Sequence, residues 1–139
     1  MNKIKECLSG FPGWIFTVLT VLLILWLTLA PDPLGDDSPE LFPGADKIVH
    51  GIMFGFLTVV ALLDSQRKSG WLPASSLRIT MTAVVATLFG IAIEFAQRAM
   101  EMGRGFETAD MAADGTGALI CALLWRFLQH YWSGAPPKD

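Results

Sequence analysis

The chain has 139 residues, of which 53% are hydrophobic and 17% charged, with a net charge of −3 and a mean hydropathy of +0.48. That is enough for one domain, and more apolar than a water-soluble domain of this size. The acidic balance and the lack of a basic stripe with interleaved aromatics exclude a nucleic-acid binder.

The first apolar run, about residues 10–30, is preceded by Lys3 and Lys5 and ended by Pro31 and Pro33. It exceeds the apolar core of a signal peptide, about 7–15 residues, and Pro31 would block cleavage after Ala30. A retained transmembrane helix is expected. The segment Asp32–Gly44, rich in proline, glycine and acid, reads as a loop. A second span is expected over about 46–63, with Gly51 and Gly55 forming a small-xxx-small face for close helix approach. Residues 64–77 read as a loop. Spans three and four are expected over about 78–96 and 108–127, and residues 128–139 as a flexible tail. Cys7 precedes the first span and Cys121 lies in the last, so neither a disulfide nor a cysteine metal site is expected.

The fold expected is therefore all-α, a single-domain integral membrane bundle of four transmembrane helices. Basic residues set its orientation. Lys3, Lys5, Arg67, Lys68, Arg78, Arg126 and Lys138 fall on the side of the termini, against Lys47, Arg98 and Arg104 on the other. Both termini are thus expected to be cytoplasmic. Trp14, Trp26, Trp71 and Trp132 fall near the expected interfaces. A helical bundle in water is the weaker alternative, because the first run alone meets the length criterion for a span.

Ionisable side chains at membrane depth are costly and usually functional. His50, Glu94, Asp110 and Asp114 all fall toward the outer ends of spans two, three and four. Asp46 and His50 share a helix face at i, i+4, and Glu94 and Gln97 share one at i, i+3. His50 is a candidate general acid or base, with a hydrogen-bonding role as the plain alternative. Glu94 is a candidate base or cation ligand, against a local pair with Arg98. Asp110 is balanced by simple capping of the last span. Asp114 lies a turn inside that span and needs a partner, with His50, Lys47 and Arg104 as candidates. Lys47 and Arg104 suit an anion, Arg104 between Gly103 and Gly105; a snorkelling lysine and a solvated loop arginine are the alternatives. Gln97 would bind or tie helices together. No metal or cofactor is expected, since His130 falls on the other side and no metal spacing appears.

Three motifs resemble those of VanZ-like membrane proteins, in family order from Ala45 to about Gly117. ADKIVHGIMFGFL is similar to the "DK-x-x-H" opening, IEFAQ to "E-x-x-Q", and RGFETADMAADGTG to "R … D-x-x-x-N-x-x-G". Asp114 stands where asparagine is commonest, and one extra residue separates Gln97 from Arg104. The resemblance implies a bacterial multi-pass protein of the cytoplasmic membrane connected with the cell envelope, and through the family's naming with resistance to the glycopeptide teicoplanin. Three functions follow as expectations. The first is a site for a lipid headgroup or lipid-linked envelope intermediate, with membrane lipids as partners and catalysis left open. The second is a non-catalytic module binding an antibiotic, a lipid or a partner protein. Ion or proton transport comes last, because few polar residues lie in the inner half.

Overall fold

Glycine and proline decide where the helices stop. Residues 2–30, 42–100 and 107–133 are described by the structure, a computed structural model. They form α1 (Asn2–Ser9), α2 (Ile15–Leu29), α3 (Ala45–Lys68), α4 (Ser76–Met100) and α5 (Thr108–Ser133), and no strand. Between α1 and α2 the chain passes Pro12 and Gly13, and Trp14 enters the left-handed region at φ 68°. A non-glycine residue rarely adopts that conformation. The first apolar run therefore yields a helix of 15 residues starting at Ile15, not at residue 10. At about 1.5 Å per residue it is roughly 22 Å long, short of about 30 Å of hydrocarbon. The separate short helix α1 was not expected.

Three helices are long and apolar enough to cross a membrane: α3, α4 and Thr108–Gln129 of α5. Two extend beyond their expected ends. Helix α3 continues five residues past Leu63, through residues expected in a loop, because Asp64 and Arg67 neutralise each other within the fold. It stops where Gly70 turns left-handed at φ 68°, with Gly70 N–H donating to Arg67 O (3.2 Å) and Trp71 N–H to Gln66 O (2.7 Å). That double bond pattern satisfies the last helical carbonyls. Helix α5 runs to Ser133, six residues into the stretch expected as tail. Gln129, near its end, is buried and holds the backbone of Ala74 from both sides, accepting from its N–H (2.9 Å) and donating to its O (3.2 Å).

The helices alternate in direction, and α3 packs against α2, α4 and α5. The α3–α5 crossing is the closest. A methyl group at Gly117 would lie 2.7 Å from the carbonyl carbon and 2.8 Å from the Cα of Gly51. At Gly55 it would lie 2.8 Å from Cys121 Sγ and 3.1 Å from Gly117 O. The backbones thus touch, as small residues allow when dispersion and not hydrophobicity drives helix association. Ile24, Phe54, Leu57, Ala86, Ile93 and Ala118 fill one core layer; Leu62, Ala74, Ile79, Ala83 and Ala122 fill a second. Phe56, Val85, Leu119 and Phe127 point outward, suiting a lipid surround.

The second layer ends on a polar clasp. Asp64 is fully buried and ion-paired with Arg67. Its Oδ2 accepts from Thr17 N–H (2.8 Å) and Thr17 Oγ1–H (2.9 Å). Thr17 is in the first turn of α2, where backbone N–H groups lack helical partners. A carboxylate from α3 therefore caps α2. Arg67 also donates to Phe11 O (2.9 Å) and lies over the Phe16 ring. The ammonium groups of Lys68 and Lys5 lie over Trp14 and Trp71.

Candidate functional site

The opposite end of the bundle is where α3 begins, α4 ends and α5 begins. Gly51 and Gly117 bring α3 and α5 into backbone contact there. His50 precedes Gly51, and Asp114 lies three residues before Gly117, so the close crossing presses these two side chains together. His50 Nδ1 and Asp114 Oδ1 are 3.0 Å apart. Asp114 is 1% exposed, so its carboxylate has exchanged water for this imidazole. Its carboxylate also packs directly on Gly90 of α4, where a methyl group would lie 2.9 Å from Asp114 Cβ and 3.0 Å from Cγ. Gly90 is thus the notch in α4 that admits Asp114.

Glu94, one turn beyond Gly90, is also 1% exposed. Its Oε2 accepts from the backbone N–H of Glu107 at 3.3 Å. Asp110 enters from the first turn of α5 and is 8% exposed. Ligand-type atoms of His50, Glu94 and Asp110 all lie within 4.8 Å of one another. Asp110 Oδ1 is buried and is paired with the Lys47 ammonium at 3.5 Å, without a hydrogen bond.

Lys47 closes the mouth. Its Nζ stands 2.9 Å from Asp46, 2.6 Å from Glu107 and 3.5 Å from Asp110. The ammonium bridges three carboxylates drawn from α3 and the start of α5. Gln97 faces another way. Its Nε2 donates to Thr28 O at 2.9 Å, fastening α4 to the end of α2. Its observed contact is the helix-tying one. Arg104 lies outside the described residues.

The fold therefore gathers His50, Glu94, Asp110 and Asp114 into one cluster, with Lys47 and Asp46 at its rim. Two contributors went unrecognised in the sequence. Glu107 supplies both a carboxylate to Lys47 and an N–H to Glu94, and its place just before the last span was the available signal. Gly90 was the other, and a glycine inside a span one turn from an acid was its signal. Chemically the cluster offers an imidazole oriented by a buried carboxylate, with two more carboxylates in reach. Such a set can move a proton or hold a cation.

Comparisons with known proteins return no matching curated protein and no matching solved structure. A family model does match, that of VanZ/LLP1, over residues 14–129. The match runs from the residue before α2 to the buried Gln129, and so takes in both the polar cluster and the Asp64 clasp. Three helices able to cross a membrane, the ordered motifs and this match converge: the chain belongs to the VanZ/LLP1 family.

Proposed function

We propose that this membrane protein binds, at an outward-facing polar pocket, the headgroup of a membrane lipid or lipid-linked envelope intermediate, with His50 moving a proton to or from it. In this reading the chain sits in the bacterial cytoplasmic membrane with both termini inside and α2, shorter than the hydrocarbon, crossing as a fourth span where the bilayer thins around it. The distribution of basic residues supports that orientation. The observation that carries the reading is the His50–Asp114 pair, because a buried carboxylate on Nδ1 fixes the ring and leaves Nε2 for substrate.

Transport is disfavoured by the middle of the bundle. Hydroxyls of Thr20, Thr28, Thr58 and Thr87 donate to the carbonyls four residues earlier. Each of these bonds is local, and among the described residues these hydroxyls form no chain of polar groups from the cluster to Asp64.

The test is expression of the unmodified chain, His50→Gln and Asp114→Asn in a bacterial host. Membrane abundance, lipid composition and teicoplanin susceptibility are scored together. Proton transfer at His50 predicts equal abundance and loss of any lipid or susceptibility change in both variants. A His50→Gln chain that behaves as the unmodified one removes His50 from the chemistry and leaves a non-catalytic binding module. A link to glycopeptide resistance stands only if teicoplanin susceptibility changes with expression.

A further inference from the structure

Helix α2 is fastened at both ends, but to different neighbours. Gln97 of α4 holds the carbonyl of Thr28, and Asp64 of α3 holds the N–H and hydroxyl of Thr17. These ties join α2 to α4 at the Gln97 end. Toward the Asp64 end a groove of about 500 Å³ lies between the two helices, floored by Leu57, Ala61 and Ser65 of α3. We propose that this groove seats one fatty chain of an anionic phospholipid from the leaflet on the side of the termini, with the phosphate held by Arg78 and Lys68.

Size and lining fit a fatty chain. The floor residues recur at every fourth position, so the groove runs along α3. On α4 its wall extends from Arg78 to Phe89. That is about 16 Å at about 1.5 Å per residue, and one leaflet contributes about half of the roughly 30 Å of hydrocarbon. The groove therefore spans one leaflet, with Arg78 at the headgroup end. Its walls are apolar in effect: Thr17 turns its hydroxyl to Asp64, and Thr82 turns its own to the carbonyl of Arg78 (2.9 Å). Wall atoms without neighbours forfeit dispersion contacts, so an extended hydrocarbon chain is a better filling than a void.

The open end selects the headgroup. Arg78 is exposed and gives one donor to Ser69 Oγ at 3.1 Å. Lys68, also exposed, lies over the Trp14 ring at 5.3 Å, and Trp14 lines the groove. Among the described residues neither cation pairs with an acid. Asp64, the acid nearest to Lys68 in sequence, is buried and committed to Arg67 and Thr17. An arginine fork with donors to spare matches a phosphate, and the lysine adds a point charge. Trp14 stands between them and the hydrocarbon, where an amphipathic ring belongs. A zwitterionic headgroup brings its own ammonium to this mouth and gains less from the two cations.

This site lies at the end of the bundle away from His50, and its lipid is held rather than transformed. It stands apart from the function proposed above.

The full-length chain, purified in detergent and delipidated, is titrated with phosphatidylglycerol and with phosphatidylcholine of the same fatty chains, and read by native mass spectrometry. One phosphatidylglycerol per protein is expected, bound about tenfold tighter than phosphatidylcholine. Arg78→Gln should weaken phosphatidylglycerol about tenfold, the worth of one charge-assisted bond, and leave phosphatidylcholine unchanged. Ala61→Leu and Val85→Trp, which fill the groove from floor and wall, should each weaken phosphatidylglycerol about fivefold or more. Arg126→Gln, which removes an exposed cation from α5 outside the groove, should change it by about twofold at most. Equal affinity for the two lipids, or equal losses in Arg78→Gln and Arg126→Gln, means annular lipid only and overturns the proposal. So does unchanged phosphatidylglycerol affinity in a groove-filling variant whose circular dichroism matches that of the unmodified chain. If neither groove-filling variant folds, the comparison of Arg78→Gln with Arg126→Gln decides alone.

Discussion

Replacing Gly117 by alanine should disassemble the polar cluster without changing any side chain in it. The new methyl would meet backbone, the Gly51 carbonyl carbon at 2.7 Å and Gly51 Cα at 2.8 Å, and backbone cannot rotate aside. Carbon atoms prefer about 3.5–4.0 Å, so α3 and α5 must part locally by roughly 1 Å. Gly51 neighbours His50, and Gly117 lies one turn from Asp114, so most of that separation reaches their 3.0 Å hydrogen bond. At about 4 Å the bond is lost. Overpacking costs about 1–3 kcal/mol. Losing a hydrogen bond to a charged group adds about 1.5–3 kcal/mol, giving a total of roughly 3–6 kcal/mol. Reversible unfolding in mixed micelles, read by circular dichroism, would measure it. Gly115→Ala is the control, since its methyl would meet the Thr87 side chain at 3.2 Å, where small adjustments are available. Equal stability of Gly117→Ala and the unmodified chain would refute the close crossing, and with it the account of how His50 and Asp114 meet.

Gly90→Ala should cost about 1–3 kcal/mol by pushing on the Asp114 carboxylate, and that cost should shrink in an Asp114→Ala background, as a double-mutant cycle in the same unfolding assay would show. Asp64→Ala should destabilise by about 3–5 kcal/mol, because it strands the buried Arg67 charge and uncaps α2; proteolysis near residues 10–14 should quicken at the same time. Gln97→Leu should loosen α2 from α4 at a cost of about 0.6–2 kcal/mol in the same unfolding assay, and unchanged stability would show that its bond to Thr28 O does not tie the two helices.

The Asp64 clasp shows how differently the two polar ends were legible. Both contain buried acids on α3, α4 or α5. Those at the His50 end interrupt apolar runs, so hydropathy alone exposes them as anomalies. Asp64 sits beside Gln66, Arg67 and Lys68 and reads as the start of a solvated loop. Its role depends on Thr17, 47 residues earlier, and no local pattern carries that pairing. The same holds for Gln129, which reads as a tail residue until its hydrogen bonds to Ala74 are seen.

Sequence alone determined the helical class, the apolar segments and the short set of side chains that a bilayer would not accept without a reason. Those follow from solvation, a property of each residue and its near neighbours. It also indicated that Gly51 and Gly55 face a partner helix. Tertiary structure decided which helix that was, that Lys47 is spent on three carboxylates, and that Gln97 binds the end of α2. It decided too that Glu94 and Asp110 stand beside the same imidazole. Those outcomes depend on where rigid helices cross, and crossings are set by contacts between residues far apart in the chain, which one-dimensional periodicity does not encode.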